Sequence, residues 1–139
     1  MNGNRYAVDT SVAVPLLLRT HQAHTAVSVW SADKTLCLCG HAAAETFSVL
    51  TRLPLNVRAS GDEVARVIDE SFAEVVPLSP KVASSIHREL ASCGISGGAV
   101  YDALVAFAAR EHGLTLVTRD LRAKGTYEAV GIRSLVLVG

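Results

Sequence analysis

Five short apolar runs, at positions 5–8, 35–39, 74–78, 114–117 and 133–137, are spaced along the chain with helical periodicity between them. That alternation constrains the fold more than any other feature. Strands joined by helix-length connections pair in parallel, because each return needs a crossover, and the crossover helices cover the sheet. The sequence therefore predicts a three-layer α/β/α sandwich built on a mostly parallel sheet of about five strands.

The helical stretches carry their own punctuation. In SGDEVARVIDESF, Val64, Val67, Ile68 and Phe72 mark one face, and Ser60 with Glu63 has capping-box spacing. Ser79 is placed to cap a second helix, with Pro80 at its first position and Val82, Ile86 and Leu90 in line. Gly94, Gly113 and Gly131 each follow a helical stretch, where a left-handed C-terminal residue is wanted. No repeat or linker divides the chain, so residues 1–139 read as one domain, long enough to bury a real core.

Charge narrows the function classes. Thirteen basic residues balance thirteen acidic ones, so nucleic-acid binding would need a local patch. Arg110, Arg119, Arg122, Lys124 and Arg133, set against Glu111, Asp120 and Glu128, lean that way. No apolar run reaches the roughly 20 residues needed to span a bilayer, so no membrane association is expected. The opening residues, with Arg5 and Asp9, lack the apolar centre of a signal peptide. Three cysteines make an odd, sparse set that fits a reducing cytoplasm. Cys37 and Cys39 alternate in LCLC without a second Cys/His pair at zinc-like spacing, and read as small buried hydrophobes.

Most of the acids have ordinary places. Asp62 and Glu63 fall in a helix first turn, and Asp33, Asp69, Glu70, Glu74, Glu89, Glu111 and Glu128 fall on polar faces, ends or turns. Four do not. Asp9 ends the first apolar run in YAVDTSV, and Asp120 follows the fourth in LTLVTRD. Helix capping explains either one, yet both stand at strand carboxyl ends, where ligands bind in such sheets. Glu45 in GHAAAETFSVLTRL and Asp102 in SGGAVYDALVAFAARE have small or apolar neighbours at helical spacing. Carboxylates on such faces are costly unless paired or coordinated. The arginine count is adequate for one or two buried pairs, so ion pairing is the competing explanation. If all four converge, hard oxygen donors of this kind suit Mg2+ or Mn2+.

The order of DTS, a glutamate on the second main helix, AVYDALVAFAARE and LVTRD before a closing strand resembles the PIN domain, and most of all the VapC toxins of toxin–antitoxin pairs. The resemblance spans essentially the whole chain, and the tail TRDLRAKGTYEAVGI shares it. It implies Mg2+- or Mn2+-dependent cleavage of RNA, such as tRNA or rRNA, in an acidic pocket at the carboxyl edge of the sheet. By position the pocket would be Asp9, Glu45, Asp102 and Asp120, with Thr10, Ser11 and Thr118 as orienting hydroxyls. It also implies a VapB-like antitoxin and a homodimer. Many relatives carry a further acid just after the TxD motif. Here the chain reads Leu121, Arg122, Ala123 and Lys124, which leaves Arg119, Arg122 and Lys124 as candidate RNA contacts.

His41, four residues before Glu45, reads as a helix-start residue rather than a ligand. A metal-dependent DNA nuclease or phosphatase using the same pocket, and a non-catalytic interaction module retaining it, are the alternatives.

Overall fold

The computed structural model describes residues 4–138. Strands β1 (Arg5–Val8), β2 (Thr35–Cys39), β3 (Glu74–Val76), β4 (Thr115–Thr118) and β5 (Ser134–Val136) form one sheet in the order β3-β2-β1-β4-β5. Every neighbouring pair is parallel. The connections are helices α1 (Thr10–Leu17), α2 (His24–Ser31), α3 (Gly40–Thr51), α4 (Gly61–Ser71), α5 (Pro80–Ser92), α6 (Ala99–Glu111) and α7 (Leu121–Val130).

The central strands are apolar because they are covered on both faces. Ala7, Val8, Cys37, Leu38, Leu116 and Val117 are fully buried. Helix α6 is buried over most of its length, at Ala103 and from Val105 through Ala109. The run at 74–78 yields only a short strand, since Pro77 has no N–H to continue the ladder. The two cysteines of β2 lie in this core, and burial beside Cys37 and Asp9 pushes the Cys39 thiol up to about 12.

Local signals set the helix ends. Ser60 Oγ accepts the Glu63 N–H at 3.2 Å while Glu63 Oε1 accepts the Ser60 N–H, which closes the capping box on α4. Ser79 caps α5 with Pro80 at its first turn. Gly131 ends α7 at φ +85°, a conformation that glycine adopts without steric cost.

Topology places the crevice. The chain leaves β1 toward β2 on one side, and β4 packs on the other. The order of strands therefore reverses at β1 and β4, and a doubly wound sheet opens beyond the carboxyl ends of those two strands. Asp9 directly follows β1, and Asp120 lies just beyond β4.

One packing defect is visible on α3. Thr46 is fully buried, and its Oγ1 has no hydrogen-bond partner among the described residues. An unsatisfied buried hydroxyl costs about 1–3 kcal/mol. Thr46→Val keeps the shape and removes that cost, so chemical denaturation should show it equal to or up to about 1 kcal/mol more stable than the parent chain.

Candidate active site

Asp9, Thr10, Ser11, Glu45, Asp102, Val105 and Asp120 line one cleft of about 220 Å³ at the strand carboxyl ends. Four elements contribute: the β1 exit, α3, the first turn of α6 and the β4 exit.

Asp9 is the buried anchor, only 7% exposed. Its Oδ1 accepts the Ser11 N–H at 3.0 Å, which caps α1, and the Ser11 hydroxyl at 2.5 Å. Its Oδ2 accepts the Tyr127 hydroxyl at 2.6 Å. Ser11 Oγ also accepts the Arg119 N–H at 2.7 Å and lies 3.1 Å from Thr118 Oγ1, which in turn accepts the Asp120 N–H at 3.0 Å. Because Ser11 gives its proton to Asp9, the Thr118 hydroxyl is the donor of that pair. The Ser11 and Thr118 hydroxyls thus knit the β1 exit to the β4 exit, and the Tyr127 hydroxyl ties α7 to Asp9.

Asp120 caps α7, accepting the Arg122 N–H at 2.9 Å, and meets Arg122 Nε at 3.2 Å. Both strand-exit aspartates therefore do cap helices, and the same side chains also wall the cleft. Asp102, in the first turn of α6, is half-buried. Glu45 differs from the expectation of a covered face: it is exposed, with Oε1 accepting the Thr10 hydroxyl at 2.6 Å. The cleft opens to solvent on the α3 side, so Glu45 forms its rim.

Electrostatics separate these acids from the rest. Elsewhere, several carboxylates face cations: Arg5 with Glu74, Lys34 with Asp33, Arg66 with Glu70, Arg110 with Glu89 and Lys124 with Glu128. Glu111 accepts the Ser79 N–H at 2.8 Å. In the cleft, Arg122 reaches Asp120 from a side chain that is 92% exposed. Burial raises the Asp9 carboxyl above the usual range, against the pull of hydrogen bonds from Ser11 and Tyr127. Burial also raises Asp102, and the charges of Asp9, Asp120 and Glu45 push it further, opposed by His41.

The acids surround the cleft rather than meet at a point. Among the described residues, no three His, Cys, Asp or Glu side chains form a ready-made coordination group. An ion that keeps several waters needs only one or two direct carboxylates, as Mg2+ does. Carboxylate and hydroxyl oxygens, without thiolate or imidazole at the cleft wall, are the donor chemistry of Mg2+ and Mn2+. The residues present fit such an ion.

Of the basic residues, Arg122 stands at the cleft through Asp120, and Lys124 faces Glu128 on α7. Arg119 lines a separate groove with Gln22, Leu121 and Leu137. His41 begins α3 and stacks on Tyr101. Tyr127 was not anticipated from the sequence. Its signal was its spacing on α7, where it shares the buried face with Ala123 and Val130, because a buried tyrosine needs an acceptor for its hydroxyl.

A family model described as PIN domain matches residues 6–129. Over 130 residues the chain is 55% identical to Ribonuclease VapC27 of Mycobacterium tuberculosis, covering 94% of this chain and 95% of that protein. It is 40% identical to Ribonuclease VapC40 of the same organism over 127 residues, covering 91% and 94%. The chain belongs to the PIN-domain family, in its VapC branch. In fold it matches the crystal structure of VapC20 from Mycobacterium tuberculosis, described as a sarcin–ricin loop cleaving toxin. That match has a TM-score of 0.69 at 19% identity and covers 95% of this chain and 99% of that one. VapBC2 from Rickettsia felis, solved with a promoter DNA fragment, matches with a TM-score of 0.67 at 14% identity, over 96% and 99%.

Two substitutions test this geometry. Tyr127→Phe leaves a buried carboxylate oxygen without its donor and should cost about 1–3 kcal/mol in urea denaturation. For Asp102, the folded pKa lies above the unfolded value near 3.8. Its contribution is therefore fully present below that value and is lost as pH rises through the folded pKa. Asp102→Asn should accordingly be more stable than the parent at neutral pH, with the gap in Tm closing as pH falls toward 3.8 and below.

Proposed function

We propose that the chain is the toxin of a type II toxin–antitoxin pair, a divalent-cation-dependent endoribonuclease acting in the cytoplasm. The observation that carries this reading is the cleft: four carboxylates from four separate elements share one opening at the switch point of the sheet, with the exposed Arg122 as counter-charge at Asp120. Its membership of the VapC branch supports the reaction.

Asp9, Asp102 and Asp120 are the residues that would hold Mg2+ or Mn2+, with Glu45 on the rim. A bound ion supplies Lewis-acid polarisation of the scissile phosphate and lowers the pKa of a water. The chain's own part is positioning. Ser11 and Tyr127 fix the Asp9 carboxylate by three hydrogen bonds. Thr10 holds Glu45, which orients the attacking water from the solvent side. Water oxygen bonds to phosphorus, the bond to the 3′-oxygen breaks, and a proton ends on that oxygen. The products are a 5′-phosphate and a 3′-hydroxyl, and neither a histidine nor the 2′-hydroxyl takes part. Arg122 and Lys124, both well exposed, are placed to meet RNA phosphates.

Such a nuclease needs restraint. An apolar groove between the end of α1 and helices α3 and α4 is lined by Leu17, Leu18, Leu50, Leu53, Val64 and Val67. It suits the amphipathic segment of a VapB-like antitoxin, and the fold's likeness to solved VapBC complexes supports that partner. A homodimer would bring two such clefts to one RNA. Trp30, by contrast, packs on Tyr6 and under Lys34, away from this groove.

The test is cleavage of total cellular RNA by the purified, antitoxin-free protein with Mg2+, with Mn2+ and with EDTA. Cuts at a few sites should require the metal and leave 5′-phosphates. Asp9→Asn and Asp102→Asn should each lose more than the roughly 10–100-fold that removal of an outer-shell partner costs. Cutting that survives EDTA or both substitutions overturns the mechanism. A folded protein that cuts no RNA belongs with the binding modules or with other phosphoesterases.

A further inference from the structure

Tyr101 is 57% exposed, yet its ring is ordered against another. It stacks on His41 with ring centroids 5.3 Å apart and an interplanar angle of 20°. Both residues neighbour cleft acids along their own helices. Tyr101 immediately precedes Asp102 in the first turn of α6, and His41 lies one turn before Glu45 on α3. The stack therefore bridges the two helices that carry two of the four acids.

The other aromatic rings have structural partners. Phe72, Phe107 and Tyr127 are buried, Tyr6 packs against Trp30, and Phe47 lies over Gly61. His41 covers one face of Tyr101, and more than half of the residue stays open to solvent. A flat, preordered, half-open π-surface is what an unpaired nucleobase stacks on.

Charge gives this surface a purpose. The chain has no net charge, and four carboxylates line the cleft, so beyond what a bound cation neutralises the cleft offers an RNA backbone little attraction. A contact to the neutral base rather than to the phosphate does not depend on that attraction. Stacking is also tolerant of sequence, since every base has a π-face.

We propose that the His41–Tyr101 stack is a nucleobase-binding platform that seats one unpaired base of the substrate beside the acidic cleft. This rests on the ribonuclease reading above and deepens it, since it assigns the seating of one unpaired substrate base to a side chain outside the acidic cleft. Tyr101 is the contact, and His41 holds its ring flat.

The test separates binding from cleavage. A short single-stranded RNA carrying 2-aminopurine is titrated with the parent chain, Tyr101→Ala and Tyr101→Phe, in Ca2+ without Mg2+ or Mn2+. The parent and Tyr101→Phe should quench the fluorophore, and Tyr101→Ala should lose the quench and bind about 5- to 100-fold more weakly. In parallel, an RNA found to be cut in the total-RNA assay is cleaved in Mg2+ as a single species, and kcat/KM should fall by a similar factor in Tyr101→Ala and be retained in Tyr101→Phe. Matched circular dichroism spectra exclude misfolding, since this side chain lies outside the core. Quenching that is equal in Tyr101→Ala, or absent in the parent, overturns the platform whatever the cleavage assay reads. If the quench depends on Tyr101 but no RNA is cut, the ribonuclease reading fails and the platform stands.

Discussion

The rest of the structure depends on a carboxylate buried at the end of the first strand. Asp9 has left water almost completely, and its three hydrogen bonds, from the Ser11 N–H, the Ser11 hydroxyl and the Tyr127 hydroxyl, make that burial tolerable. Each donor comes with structural obligations. Ser11 starts α1 and joins the β4 exit through Thr118 and Arg119, while Tyr127 requires α7 to pack over the sheet edge. Satisfying one polar group therefore fixes the relation of two strands and two helices. A buried polar group is costly when orphaned, so this network specifies its geometry closely.

Around that anchor the protein spends charge unevenly. Several acids outside the cleft, among them Asp33, Glu70, Glu128 and Glu111, are matched with nearby cations or a backbone donor at the surface, where ion pairs contribute little but do no harm. Inside the cleft, Asp102 is left facing three other carboxylates. Removing such repulsion would stabilise the fold, so its presence marks a place where folding and chemistry pull in opposite directions. In the proposed working state a bound cation with hard-oxygen preference would relieve the repulsion, and metal binding would then raise the stability of the fold.

The architecture was legible in the sequence because its signals are local. Apolar runs set the strands, Ser60 and Ser79 set helix starts, and the glycine after Val130 set a helix end. The four acids stood out for a different reason: Asp9 and Asp120 end apolar runs, and Glu45 and Asp102 have small or apolar neighbours at helical spacing. Their shared cleft follows from topology, which brings the ends of β1 and β4 side by side. Exposure of Glu45 was not legible, because helical spacing reports neighbours on the same helix and not whether another element covers them. The Tyr127 bond to Asp9 and the His41–Tyr101 stack were hidden likewise, since each joins residues that only the finished tertiary structure makes adjacent.

The same bond has a consequence for assembly. Its partners are separated by 118 positions, so the loop it closes takes in most of the chain. The entropy of that closure must be met before the anchor exists. A polypeptide caught partway through folding holds all four acids but not the cavity they enclose. The hazard carried by such a domain is thus withheld until folding is essentially finished, and any event that unseats α7 from the sheet withdraws it again.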